Sequence, residues 1–110
     1  MLEFREYVDE LGRNRYGRWL ESLDDQAAAK VTVALSRMAY GNTSNLKSVG
    51  SGVSELKIDF GPGLRVYYGI AGTQLVLLLG GGTKRRQQQD IELAKAAWMS
   101  YKRRKANGAE

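Results

Sequence analysis

Two residue types that enzymes lean on most are missing from this chain of 110 residues: it has no histidine and no cysteine. Without histidine, the usual general acid–base group and the usual zinc ligand are gone, and no Ser-His or Cys-His nucleophile pair can be assembled. Without cysteine, disulfides and thiolate metal sites are excluded. Any chemistry must therefore run on Lys, Arg, Tyr, Asp or Glu, and no cofactor or metal is expected. Long apolar runs are lacking too. The longest, Leu75–Leu79, is far too short to span a bilayer. The first residues, Met-Leu-Glu-Phe-Arg-Glu, carry acids where a secretory signal would be basic and then apolar. A cytoplasmic location without membrane association follows as an expectation. Neither an internal repeat nor a linker is visible.

What the chain does have is a hydrophobic content of 43%, enough for one globular core, and a formal charge of +5. The pI of about 9.6 suggests a polyanionic partner, most often a nucleic acid. The length fits a single domain, expected over residues 1–105 with a frayed tail over 106–110.

Periodicity supplies the elements. Residues 2–8 alternate and read as an initial strand near an edge. Tyr16, Trp19, Leu20 and Leu23 form one stripe of a helix over 13–23. Asp24 and Asp25 suit the start of a second helix, where acids cap free amides and complement the helix dipole. No third ligand lies near this Asp pair, so a metal site is not indicated. Ala28, Val31, Leu35 and Met38 are the second helix's buried face, and Gly41-Asn42 ends it. The two helices should form an antiparallel hairpin. Residues 41–52 read by composition as a loop bearing one cation, Lys47, either a flap or a plain connector.

Two alternating strands come next, over 53–60 and 64–71, each with one apolar and one polar face. Taken as a three-residue hairpin loop, Gly61-Pro62-Gly63 would pair Asp59 with Arg65 and Lys57 with Tyr67, leaving Lys57 and Arg65 as diagonal neighbours. The apolar strand 74–79 lacks alternation and should be central, with the C-terminal segment covering its second face. Gly80-Gly81-Gly82 permits a sharp exit or the close approach of a ligand, and Lys84, Arg85 and Arg86 come after it. A helix from Asp90 to about Arg104 carries Ile91, Ala94, Trp98 and Tyr101 as its stripe, with Asp90 as its cap. The class is α+β, in the order β-α-α-β-β-β-α.

The polar sheet face holds the candidate chemistry. Stabilising a phosphorane takes a fork of donors such as Arg65, helped by Lys57 from the next strand. Tyr67 would stack on an unpaired base or assist proton transfer. The glycine-rich loop would bring Lys84 to the sheet's edge, and Arg85 and Arg86 would make nonspecific phosphate contacts, with Lys47 a further RNA-binding candidate. A solvated sheet face with a plain Asp59–Arg65 ion pair explains the same alternation. The Gly-Gly-Gly-Thr-Lys stretch lacks Walker spacing, so an ATPase is poorly supported.

Three segments sharpen the choice: Glu-Leu-Lys-Ile-Asp-Phe-Gly-Pro-Gly-Leu-Arg-Val-Tyr-Tyr, Leu-Leu-Leu-Gly-Gly-Gly-Thr-Lys, and Gln-Gln-Gln-Asp-Ile-Glu-Leu-Ala-Lys. In this order they resemble the HigB-like addiction-module killer proteins of the RelE/ParE superfamily, over nearly the whole chain to Trp98. The resemblance implies a RelE-like small twisted antiparallel sheet with an N-terminal helical hairpin and a C-terminal helix. It also implies the toxin of a type II toxin–antitoxin pair that cleaves mRNA on the ribosome and is held in a hetero-oligomer by a helix-turn-helix, HigA-like antitoxin. Arg65 then matches the strand arginine expected to hold the scissile phosphate, Lys57 a basic position on the preceding strand, Tyr67 the aromatic two past the arginine, and Lys84 the lysine after the glycines. Gln87 and Asp90 match the family's next motif, and on this resemblance Lys84 would steady the phosphate while Gln87 would bind RNA. Leu64 departs from a common aromatic, and Arg85-Arg86 from common hydroxyl residues. The alternatives are a ParE-like gyrase inhibitor that cuts nothing and a nonenzymatic nucleic-acid-binding module.

Overall fold

The structure, a computed structural model, describes residues 1–108. Its order is β1 (Glu3–Glu6), α1 (Arg15–Ser22), α2 (Asp25–Ala39), β2 (Leu46–Gly50), β3 (Val53–Ile58), β4 (Leu64–Ala71), β5 (Leu75–Thr83), a 3₁₀ turn (Lys84–Arg86) and α3 (Gln87–Ala106). The class is α+β, with one five-stranded sheet ordered β1-β5-β4-β3-β2. Of the tail expected to fray over 106–110, Ala106 still belongs to α3, and residues 109–110 lie outside the described residues.

The helix starts are set by local chemistry. Asn14 caps α1 by accepting a hydrogen bond from the Gly17 amide at 2.8 Å, and Asp24 caps α2 through Ala27 at the same distance. Gly41, at φ 99°, takes the left-handed conformation that lets the chain leave α2. Helices α1 and α2 lie on one sheet face. There Tyr16, Val31 and Met38 pack on Leu56, Val66, Tyr68, Val76 and Leu78. Helix α3 covers the other face, with Ile91, Ala94 and Trp98 on Val53, Tyr67, Leu77 and Leu79. Each fully buried aliphatic side chain contributes about 1.5–3 kcal/mol, so both layers hold the sheet.

Three expectations about strand pairing need correction. Residues 46–50 are not loop but strand β2, which pairs antiparallel with β3 through Leu46↔Leu56 and Ser48↔Ser54. A bulge between Ser48 and Gly50 breaks its alternation, and that is why composition hid it. The sheet is not wholly antiparallel either: β1 joins β5 in parallel, from Glu3↔Leu75 to Glu6↔Leu78. Finally, the β3–β4 loop has five residues, 59–63, because Ile58 pairs with Leu64. Lys57 thus stands directly opposite Arg65, and Glu55 opposite Tyr67. The shift from the expected register is even, so every side chain keeps its face.

The glycines after Leu79 do not make a sharp exit; they continue β5 to Thr83. A bulge between Tyr67 and Tyr68 leaves Leu79 extra, with Tyr67 opposite Gly80 and Tyr68 opposite Leu78. It reverses the alternation: Leu77 and Leu79 face α3, whereas a side chain at Gly81 would meet the Trp19 ring on the α1 side. A side chain at Gly82 would run into the Asp90 carboxylate on α3. Both helices approach β5 only because these positions lack a Cβ.

Candidate functional site

The polar face expected to meet solvent lies partly under α3. Arg65 is 6% exposed, Glu55 4% and Tyr67 0%. Helix α3 approaches closely because its Trp98 indole sits on Gly69, where an added Cβ would come within 2.5 Å of the ring. With Tyr67 sealed beneath that layer, its ring offers no surface for a base to stack on, and the expected stacking role is withdrawn.

Arg65 and Glu55 form a buried ion pair, Nε to Oε2 at 3.6 Å. That separation is too long for a hydrogen bond, and Arg65 Nε has no hydrogen-bond partner. Arg65 Nη1 donates to the Gly63 carbonyl at 3.3 Å, and Nη2 makes no hydrogen bond among the described residues. Gln87 Nε2 donates to Glu55 Oε2 at 2.8 Å, tying α3 to β3. The Tyr67 hydroxyl is a second buried orphan in the same row. Burial raises its pKa well above the ordinary tyrosine value, and the Glu55 charge raises it further. Buried polar groups are nearly always satisfied, so two such groups without a hydrogen bond of good geometry around one carboxylate make this row the candidate site. The Asp59–Arg65 pair expected from the hairpin does not form; Glu55 takes that place.

A cleft of about 400 Å³ opens over this pair. Its lining includes Ser44, Asn45 and Lys47 before and on β2, Glu55 and Lys57 on β3, Arg65 on β4 and Gln87 on α3. Lys47 and Lys57 are exposed at its rim. The structure thus gathers Lys47, Lys57, Arg65 and Gln87, which the sequence places far apart. It does not gather the others. Lys84, Arg85 and Arg86 are exposed on the 3₁₀ turn and do not line the cleft. Arg86 Nε donates instead to Gln89 Oε1 at 2.9 Å. Glu55 is the residue that sequence reasoning passed over. Its signal was its place two before Lys57 on the same strand face. Among the described residues no group of three acids could hold a metal ion, and no helix is long and apolar enough to cross a membrane.

Asp90 does not cap α3, whose first turn has no side-chain cap. It lies against Gly82, and burial holds its carboxyl above the usual 3.8 despite the opposing pull of Arg86 and Arg15. A raised folded-state pKa contributes stability that is fully present below the unfolded value and lost as pH rises through the folded one. Asp90→Asn keeps the shape and removes the charge. It should melt at a higher temperature than the parent near neutral pH and match it at about pH 3. Thermal melts at both pH values check this, and an Asn variant no more stable at neutral pH refutes it.

The chain has relatives among known proteins. Residues 18–101 match the family described as phage derived protein Gp49-like (DUF891). An uncharacterized protein of Haemophilus influenzae is 42% identical over 81 residues, which cover 73% of this chain and 82% of the relative. The span matched by the family contains the whole cleft.

Proposed function

Because the chain belongs to the Gp49-like family of phage-derived proteins, a family of toxins of the toxin–antitoxin type, we propose that it is an endoribonuclease that halts translation by cutting mRNA on the ribosome. The observation that carries this reading is Arg65: a buried guanidinium with free donors, facing a cleft rimmed by Lys47 and Lys57. Such a site favours an anion that gains negative charge as it reacts. A helix-turn-helix antitoxin is the neutralising partner in the same proposal, and the cytoplasm is where both would act.

The reaction is an internal transfer. Glu55 takes the proton of the ribose 2′-hydroxyl, the 2′-oxygen attacks the adjacent phosphorus, and the bond from phosphorus to the 5′-oxygen breaks. Lys57 gives a proton to the departing 5′-oxygen. The products are a 2′,3′-cyclic phosphate and a 5′-hydroxyl. Arg65 faces the equatorial oxygens of the phosphorane, and Lys47 binds a neighbouring phosphate. Gln87 holds the Glu55 carboxylate in place. Lys84, Arg85 and Arg86 contact RNA beyond the scissile bond. Tyr67 positions the row from within. The ribosome supplies the orientation that a site without histidine needs most.

The test is a cleavage assay on translating ribosomes with the wild-type protein and a Glu55→Gln variant. The wild type should yield 2′,3′-cyclic phosphate ends, and the variant should be slower by about a hundredfold in single turnover. Intact mRNA together with inhibited gyrase supercoiling would replace this reading with the gyrase-inhibitor one. A Glu55→Gln enzyme at full rate would remove Glu55 as the base.

A further inference from the structure

Strand β2 begins only at Leu46, which stands opposite Leu56, so past that pair β3 lies at the margin of the sheet. The Lys57 amide is still held there, donating to the Asn45 carbonyl at 3.0 Å. Two cavities meet around this margin. One is the Arg65 cleft. The other, of about 420 Å³, lies between α2 and β3 on the opposite face of the sheet. Asn45 and Lys57 line both. The second cavity has apolar walls from Val33 and Ala34 on α2 and from Ile58 on β3, and its cations are Lys30, Arg37 and Lys57. The side chains of these three cations make no hydrogen bond or ion pair among the described residues; Lys30 Nζ lies over the Phe60 ring, 5.8 Å from its centroid. Asn42 Oδ1 accepts from the Ser44 amide at 3.0 Å and holds the bend that leads to Asn45. Neither α2 cation enters the reaction described above.

We infer that the α2 groove is a second RNA subsite, which seats a nucleotide next to the scissile pair as the strand passes over Lys57 and Asn45. The inference rests on reading the Arg65 cleft as an RNA site. A strand held at Arg65 has to leave the cleft, and beyond Leu46 no strand of the sheet stands between it and α2. Val33, Ala34 and Ile58 offer apolar surface to a sugar or a base, and Lys30 and Arg37 supply charge for the phosphates that flank it. The size is that of a small-molecule pocket, about 300–1,000 Å³, with room for a nucleotide and none for a folded domain. One acid, Asp59, lies in the lining, and three cations outnumber it. Net charge alone would suit an acidic peptide as well. Continuity decides for RNA: the lysine and asparagine that border the groove also border the place where the phosphodiester reacts, and a polynucleotide is an anion that occupies both cavities at once.

The probes are fluorescein-labelled oligouridylates of two and four nucleotides, with fluorine in place of every 2′-hydroxyl so that neither can be cut, titrated by anisotropy at low salt. The parent should bind the longer probe about a hundredfold more tightly than the shorter, roughly tenfold per added phosphate contact. Lys30→Gln/Arg37→Gln should erase that step and leave the affinity for the shorter probe within about twofold. Both residues are exposed, so the variant should melt at the parental temperature. Lys102→Gln/Arg103→Gln removes the same charge near the end of α3, outside both cavities, and should keep the step. Four results would overturn the inference: a parent without the length step, equal losses for both probes in the α2 variant, the same loss in the α3 control, or saturable binding of a Glu-Val hexapeptide that the α2 variant loses. A parent that shows the step and cuts no mRNA on ribosomes keeps the subsite and ends the nuclease reading. A parent that cuts mRNA without the step does the reverse.

Discussion

Arg65→Ala is expected to lose mRNA cleavage by a factor of about 10²–10³ and to be markedly less stable. The two losses have different origins. The first is the removal of preorganised donors from the place where charge develops, worth about 2.7–4 kcal/mol of barrier. The second is the exposure of an electrostatic dependence in the fold: Glu55 is 4% exposed and its one ion-pair partner among the described residues is Arg65. Breaking a buried pair by removing one member costs about 3–5 kcal/mol, because the other charge is left without compensation. Arg65→Lys separates the effects. It keeps a cation near Glu55 but loses the planar fork that matches phosphate oxygens. Urea midpoints should therefore recover in the lysine variant while single-turnover cleavage stays at least tenfold down. A lysine variant that cuts at the parental rate would show that Arg65 is part of the core and not of the chemistry.

Trp98→Ala, a residue that does not itself line the cleft, is expected to destabilise the protein by about 3–5 kcal/mol. The indole is 6% exposed, stacks on Tyr101 at 5.5 Å with an interplanar angle of 14°, and rests on two glycines. A Cβ at Gly52 would approach its Nε1 to 2.7 Å, and one at Gly69 its ring to 2.5 Å. Those seats lie on the β2–β3 turn and on β4, so truncation loosens the clamp of α3 over Tyr67 and Arg65. Typical stabilities are about 5–15 kcal/mol, so the loss is a large share of the total. Met99→Ala, one residue on and 59% exposed, should change stability by no more than about 0.5 kcal/mol. Chemical denaturation of both variants is the measurement, and equal midpoints would contradict the packing described.

How much of this was legible in the sequence depended on how many constraints each segment carried. Strand β4 was predicted over 64–71, its observed bounds, because alternation and the flanking glycines agree. Asp24 was readable as a cap, since acid chemistry at a helix start is local. Strand β2 was not, because Asn, Ser and Gly dominate its surroundings and its partner lies on another strand. The polar face was read correctly as a face and wrongly as open surface. Alternation reports which side chains point together; it does not report that α3 lies over them. Glu55 stayed hidden for that reason, since its importance comes from burial beside Arg65 and from Gln87, 32 residues later in the chain. Alternation named Arg65 and Tyr67 as one face and the glycine-rich loop offered Lys84, but of the three only Arg65 lines the cleft.

The glycine seats also have an optical consequence. The chain has two tryptophans, and the sheet separates them: Trp19 stands over Gly81 on the α1 side, Trp98 over Gly69 on the α3 side. Each is the sole indole of its layer, so replacing one with phenylalanine leaves a fluorophore that reports one face of the sheet. Emission from Trp19 tracks events at the α1 face of β5, where it lines a cavity, while emission from Trp98 tracks the cover over Arg65. Events at the α1 face of β5 and movement of α3 over Arg65 can thus be timed separately in one unlabelled protein.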